Sequence, residues 1–135
     1  WDMRHASDAF TLTYPFATTV LANRLAFWNR DVWGIELQPG IDEVSLALVA
    51  DAWSRTYRSR AVTFAGAAAV VTTANGVRVL PDRTVAGLRE DRVIPSFEDR
   101  RPADALDRTL DDIADRYGER TTYVVAMQLE YPRRQ

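Results

Sequence analysis

Three polar residues, Asp42, Glu43 and Ser45, form the first group whose types could support chemistry. They follow a short apolar run, Trp33 to Leu37, that predicts a buried strand. Open α/β sheets bind ligands at the carboxyl ends of their strands, so one interpretation is a small polar-ligand site. The other interpretation is structural, because carboxylates and hydroxyls also cap helices and complement the helix dipole. Capping accounts for all three residues without a ligand.

Other candidate residues give weaker patterns. His5 could act as a general base or metal ligand, but it lies in a polar leader and is the only histidine. A late segment carries acids and arginines in alternation: Asp107, Arg108, Asp111, Asp112, Asp115 and Arg116. Metal binding needs carboxylates that converge from separate elements, whereas alternating charge on one helix face is typical of a solvated surface. We therefore predict no metal site and no cofactor.

The composition excludes several classes of chemistry. No cysteine is present, which excludes thiolate nucleophiles, disulfides and sulfur-ligated metal. All 17 basic residues are arginine, a bias that suggests a GC-rich bacterial genome, and the absence of lysine excludes Schiff-base catalysis. The formal charge is −2, and the arginines are mixed with acids. We therefore expect no nucleic-acid partner.

The hydropathy pattern predicts no transmembrane span in this chain. The nearest approach is 9–28, and Pro15, Asn23 and Arg24 interrupt it. A cytoplasmic location is the expectation. Because the sequence begins at Trp1, an upstream signal or membrane anchor stays open, which would make the protein exported or membrane-anchored.

The periodicity predicts a βαβ unit. A first helix is expected over 16–30, where Val20, Leu21, Leu25 and Trp28 recur at helical spacing. After the strand at Trp33–Leu37, a helix should begin at Asp42 and continue to about Tyr57. The run "RAVTF" (60–64) is β-branched and aromatic, which predicts a second strand parallel to the first.

The second half of the chain begins with a hairpin signal. Asn75-Gly76 separates two valine-rich runs and predicts a type I′ turn with positive φ at both residues. A short strand is expected over 92–94, closed by Pro95. A long helix should start at Pro102 and end at Gly118. The segment 121–131 fits a strand or a helix on its own pattern.

Two apolar ridges are expected to be buried. The first is Leu46, Val49, Ala50, Trp53 and Tyr57, and the second is Leu106, Leu110, Ile113 and Tyr117. Aromatic residues on such ridges serve core packing or a subunit interface. Trp53 and Tyr57 are therefore also candidate interface residues.

Four blocks resemble, in order, parts of a known family: "GIELQPGIDEVSLALVADAWSRTYRSRAVTFAG", "VVTTANGVRVLPDRTV", "DRVIPSF" and "ALDRTLDDIADRYGERTTYVVAMQLEYP". The family is ThiJ/PfpI, of the class I glutamine-amidotransferase-like superfamily. The blocks resemble its first strand, helix and second strand, then its hairpin, its next strand and its C-terminal helix pair. The resemblance covers about 33–132. It implies an α/β, flavodoxin-like three-layer domain and favours helix for 121–131.

The departures from the family concern its catalytic residues. Family enzymes carry a cysteine on a sharp strand-to-helix turn, the nucleophile elbow, and pair it with an acid from the first loop. Here "VIPSF" leads through "EDRRPAD" into the terminal helices, and Ser45 stands where the resemblance places the acid. A serine without a base does not replace a thiolate. We therefore predict a shortened, non-catalytic member.

The predicted organisation is a polar leader with a covering helix (1–31) and one α/β domain (32–132). A short, mainly parallel sheet with a hairpin leaves an edge that needs covering. We therefore expect a homodimer or a subunit of a larger assembly, joined through the hairpin 70–80 or the helix of Trp53. The alternative function is a small-molecule hydrolase, lyase or ligand sensor that uses Asp42, Glu43 and Ser45.

Overall fold

The computed structural model describes residues 13–26, 30–66, 70–84, 90–97 and 100–131. Helix α1 (Tyr14–Leu25) precedes strand β1 (Asp31–Glu36), helix α2 (Glu43–Ser54) and strand β2 (Ser59–Ala65). The two strands are parallel, in register from Asp31 opposite Ser59 to Glu36 opposite Phe64. The predicted βαβ unit is confirmed. Helix α2 ends three residues before the predicted end, and Tyr57 beyond it has a positive φ of 60°.

A small antiparallel hairpin follows, formed by β3 (Val71–Thr72) and β4 (Arg78–Val79). The hairpin is confirmed, but the predicted turn type is wrong. Gly76 has a φ of +84°, whereas Asn75 is not among the positive-φ residues. The Gly76 N–H donates to the Thr73 carbonyl, and the Thr73 N–H donates to the Val77 carbonyl. This is a three-residue loop that needs only one residue in the left-handed conformation, and Gly76 adopts it without steric cost.

Strand β5 (Arg83–Thr84) pairs with β2 in the parallel sense. On the other side of β1, the expected strand over 92–94 is reduced to one parallel bridge between Gly34 and Val93, just after a 3₁₀ turn at Glu90–Arg92. Pro95 lacks an N–H and so limits further pairing. In the part of the chain that is described, the parallel sheet has the order Val93, β1, β2, β5.

Two helices complete the fold. Helix α3 (Pro102–Tyr117) begins at the predicted proline, and α4 (Glu119–Gln128) follows after a single residue. Gly118 separates them with a φ of 85° and ψ of 159°, a conformation that suits glycine. The helical interpretation of 121–131, which came from the family resemblance, is confirmed over Glu119–Gln128.

The core lies between the sheet and helices α2 and α3. Both predicted ridges contribute, although Ala50, Tyr57 and Tyr117 are only partly buried. The fully or nearly fully buried ridge residues are Leu46, Val49, Trp53, Leu106, Leu110 and Ile113. Val62 and Phe64 of β2 are also buried, and they lie on the opposite face of the strand from Ala61. The fold is thus an α/β domain with a short parallel sheet, a hairpin and flanking helices.

Helix α1 is oriented by a polar residue. Asn23 is its buried residue, and the Asn23 amide donates to the Thr56 carbonyl at 3.0 Å and to Thr121 Oγ1 at 3.2 Å. Leu21 and Leu25, which the sequence pattern placed on the apolar face, are 59% and 57% exposed. Hydrogen bonding outweighs hydrophobic periodicity here because Asn23 satisfies buried polar groups of α4 and of the loop between α2 and β2. Trp28, which the sequence pattern placed on the same apolar face of the helix, lies outside the described residues.

Candidate functional site

The loop after β1 positions Asp42 as a helix cap. Its carboxylate accepts a hydrogen bond from the Ser45 N–H at 2.6 Å, as an N-cap side chain does. This N–H is the largest cause that lowers the pKa of Asp42, and the neighbouring Ser45 hydroxyl adds to it. Asp42 therefore stays ionised at neutral pH, which suits the positive end of the helix dipole better than it suits proton transfer.

Glu43 joins α2 to the hairpin. The Asn75 amide donates to Glu43 Oε1 at 2.6 Å and is the largest cause that lowers the pKa of Glu43. The second carboxylate oxygen, Oε2, is buried and has no hydrogen-bond partner in the described structure. Two backbone bonds, Gly40 N–H to Thr72 and Ala74 N–H to Ile41, hold the same two segments together. Glu43 is thus a connector between the first loop and the hairpin turn.

Ser45 is completely buried within the first turn of α2. Its hydroxyl approaches the Asp42 carboxylate but forms no hydrogen bond of good geometry. In the described part of the chain, no side chain or backbone group forms a hydrogen bond with it. A nucleophilic serine needs a base within about 3 Å, so this hydroxyl lacks the partner that would activate it.

A cleft of about 270 Å³ lies at the carboxyl end of β1. Its walls are apolar side chains from β1, the following loop and the segment 93–97. Its polar groups are Glu36, Gln38 and Ser96, and Ile41 forms part of the wall. None of Asp42, Glu43 and Ser45 lines this cleft, although they follow Ile41 in sequence. The predicted polar residues therefore lie outside this cleft, and their ligand-binding role stays a prediction.

A polar cluster that the sequence analysis missed lies at the amino end of β1. The Tyr117 hydroxyl accepts from Trp33 Nε1 at 3.0 Å and donates to Asp31 Oδ2 at 2.7 Å. The same carboxylate pairs with Arg92 at 2.6 Å and with Arg116 at 3.6 Å. Each of these side chains has an opposite charge or a hydrogen-bond partner in the cluster, although Arg92 Nε is buried without one, and such pairing is typical of a structural clamp. Its residues are up to 86 positions apart, so no local pattern could have revealed it.

Around this clamp the aromatic rings form a continuous stack. The Trp33 and Trp53 ring centres are 4.5 Å apart, and Trp53 meets Tyr117 edge-on at 6.1 Å. Trp53 is only 2% exposed, so little of it is available to a partner. Tyr57 is partly buried, and its hydroxyl donates to Gln128 Oε1 at 3.2 Å. The interface role of Trp53 and Tyr57 stays a prediction.

The late aspartates are spread over the surface of α3. Asp107 accepts a hydrogen bond from the Tyr131 hydroxyl, and Asp112 pairs with Arg108 at 3.2 Å. Within the described ranges, no group of three or more acidic or histidine side chains could hold a metal ion. His5 lies outside the described residues. No helix in the described part of the chain is long and apolar enough to span a bilayer.

Comparison with known proteins supports the fold. No family model matches the sequence, and no curated protein matches it. Among solved structures, oxidized DJ-1 from Toxoplasma gondii matches with a TM-score of 0.61 and 10% sequence identity. The match covers 76% of this chain and 100% of that one.

The fold is DJ-1-like. The α/β fold that the four sequence blocks imply is confirmed by this likeness. At 10% identity the likeness concerns architecture alone and assigns no activity. Because the match covers the whole DJ-1 chain, it gives no evidence that this chain lacks a segment of that fold. The shortened domain therefore stays a prediction.

Proposed function

We propose that this chain is a non-catalytic DJ-1-like domain that acts by association, as a homodimer or as a subunit. The observation that carries the proposal is the absence of cysteine from the whole sequence of a domain with this fold. By the family resemblance, the nucleophile would be a thiolate, and the first-loop acid would stand at Ser45. Ser45 is buried, and its hydroxyl has no hydrogen-bond partner in the described structure.

The architecture adds a second argument. In the described structure, Val93 is the outermost bridge on its side of β1, and no further strand pairs beyond it. An uncovered sheet edge is an aggregation hazard that proteins cover or block. Three large apolar side chains of α1 are also exposed to solvent. Both features favour a protein whose role depends on contact with another chain.

Activity assays on the purified protein test the first half of the proposal. Deglycation of carbonyl adducts, peptidase cleavage and hydratase turnover are the reactions that the family resemblance suggests. We expect rates equal to buffer alone. Turnover that is lost in Ser45→Ala or Glu43→Gln, while Glu119→Gln at an exposed position of α4 retains it, would overturn the non-catalytic assignment.

The second candidate function is ligand sensing in the cleft at the carboxyl end of β1. The favouring observation is the cleft itself, whose apolar walls and few polar groups are typical of small-molecule sites. A thermal-shift screen of small polar metabolites tests it. A stabilising compound whose effect disappears in Gln38→Ala would favour sensing over association.

A further inference from the structure

Helix α1 carries an outward apolar stripe formed by Tyr14, Thr18, Leu21 and Leu25. The spacing of four, three and four residues places these side chains on one face of a helix, as at the contact positions of a coiled coil. Tyr14 is 83% exposed, and Leu21 and Leu25 are more than half exposed. The three large side chains expose roughly 400 Å², within the range of functional apolar patches on monomers.

The rest of the domain fixes this stripe toward solvent. Asn23 lies on another face of α1 and is hydrogen-bonded to Thr56 and Thr121, as described above. Rotation of α1 to bury its leucines would break both bonds and leave buried polar groups unsatisfied. Such groups cost about 1–3 kcal/mol each, so the outward orientation is maintained in the isolated chain.

The polar member of the stripe is prepared for burial. The Thr18 hydroxyl donates within the helix, to the carbonyl of Tyr14 at 3.0 Å or to that of Pro15 at 3.1 Å. Its hydrogen-bonding capacity is therefore met without water, and its methyl group adds apolar surface. Covering this position with another helix leaves no donor unsatisfied.

We propose that the α1 stripe binds the same stripe of a second copy, in an antiparallel contact about a two-fold axis. The stripe is self-complementary in that arrangement, because Tyr14 lies level with the partner's Leu25 and Thr18 with the partner's Leu21. A two-fold contact requires such reciprocal pairs. Arg24 is the only charged residue in α1, and it lies level with the partner's Pro15, so no like charges meet. This proposal rests on the proposed function and names its interface.

The composition of α1 favours a second copy over a lipid surface. Helices that lie in a membrane interface are rich in Lys and Arg on their polar face. Helix α1 has one arginine, and its guanidinium lies 5.9 Å from the centre of the Tyr57 ring of its own chain. Two stripes bury roughly 800 Å² in total, below the roughly 1,200–2,000 Å² of stable specific interfaces, so the dimer should be weak and concentration-dependent.

Sedimentation velocity across the micromolar range tests the interface. We expect the wild-type mass to approach twice 15.3 kDa as concentration rises, and Leu21→Asp and Leu25→Asp to stay monomeric. The matched control is Leu80→Asp, which adds the same charge at a leucine that is 72% exposed beside the hairpin. It should dimerise like the wild type. Circular dichroism melts confirm that each variant is folded.

Disulfide crosslinking tests the antiparallel geometry. The chain contains no cysteine, so single cysteines can be introduced into the wild-type sequence directly. Tyr14→Cys mixed with Leu25→Cys should give a disulfide-linked dimer on oxidation, and Tyr14→Cys alone should not. Self-crosslinking of Tyr14→Cys alone would overturn the antiparallel arrangement.

The outcomes separate this inference from the proposed function. Dimers that persist in Leu21→Asp and Leu25→Asp but are lost in Leu80→Asp would overturn the α1 interface and leave association by the hairpin. A monomer at every concentration would overturn the α1 interface and homodimerisation together. Binding of the wild type to phosphatidylcholine–phosphatidylglycerol vesicles without any mass increase in solution would assign the stripe to lipid and overturn the proposal.

Discussion

The Tyr117 hydroxyl is the central group of the clamp at the amino end of β1, and Tyr117→Phe removes it with little change in shape. The substitution leaves the Trp33 indole N–H without its acceptor and takes one donor from Asp31. An orphaned buried donor costs about 1–3 kcal/mol. Asp31 keeps its ion pair with Arg92 at 2.6 Å, which limits the cost of losing the hydrogen bond from Tyr117. We expect the free energy of unfolding to fall by about 2 kcal/mol.

Urea unfolding followed by tryptophan fluorescence measures this difference. For a domain of this size, about 2 kcal/mol corresponds to a melting temperature lower by roughly 8 °C. Tyr131→Phe is the matched control, because the Tyr131 hydroxyl bonds to Asp107 on the exposed side of α3. It should cost less than about 0.5 kcal/mol. Equal losses in the two variants would refute the clamp.

A double-mutant cycle isolates the hydrogen bond between Tyr117 and Trp33. Trp33→Phe alone removes the donor, and the double variant removes both partners. We expect a coupling energy of about 1 kcal/mol, because the second substitution no longer leaves an orphan. Additive losses would show that the two side chains stabilise the fold independently, contrary to the 3.0 Å contact.

The same hydroxyl gives the fold an alkaline sensitivity. Burial is the main cause that raises the pKa of Tyr117, and the nearby Asp31 carboxylate adds to it. A raised pKa in the folded state means that folding favours the neutral phenol. Its contribution is complete below about pH 10 and is lost as the pH rises through the folded-state pKa. Tyr117→Phe should therefore lose less stability than the wild type between neutral pH and the alkaline range.

Three further substitutions test other parts of the structure. Asp42→Ala removes the cap of α2 and should cost about 1 kcal/mol at neutral pH by urea unfolding; because the pKa of Asp42 is lowered, the difference from wild type should shrink as the medium is acidified below about pH 4. Gly76→Ala meets no atom within 4 Å but imposes a side chain at a φ of +84°, so about 1 kcal/mol should be lost from strain alone. Trp53→Ala empties a site that is 2% exposed and should lower the unfolding free energy by about 3–5 kcal/mol.

The sequence predicted those parts of the fold that depend on local periodicity. Helices α2 and α3 follow apolar spacing and have clear boundary residues, Pro102 and Gly118. Strands β1 and β2 are short apolar runs on either side of α2, and the right-handed crossover rule leaves few alternatives. The segment at Val93 also has strand-like composition, but pairing depends on a neighbour, and the described structure gives it one bridge to β1.

The candidate site was less predictable because its contacts are long-range. The sequence showed that Asp42, Glu43 and Ser45 suit a helix start, and the structure gives Asp42 that role. It could not show that Asn75, 32 residues away, holds the Glu43 carboxylate. It also gave no sign of the clamp at Asp31, whose tyrosine, tryptophan and arginines come from three separate elements.

Helix α1 shows most clearly why apolar spacing alone is an incomplete guide. A stripe of leucines at helical spacing predicts burial, yet two buried hydrogen bonds from Asn23 select the opposite orientation. Full burial of a leucine gains about 1.5–3 kcal/mol, and because these two are 59% and 57% exposed, the isolated chain forgoes more than half of that gain at each. A second copy can recover that energy without breaking the Asn23 bonds. The residue that appeared as an interruption of an apolar segment thus determines which face of α1 is available for association.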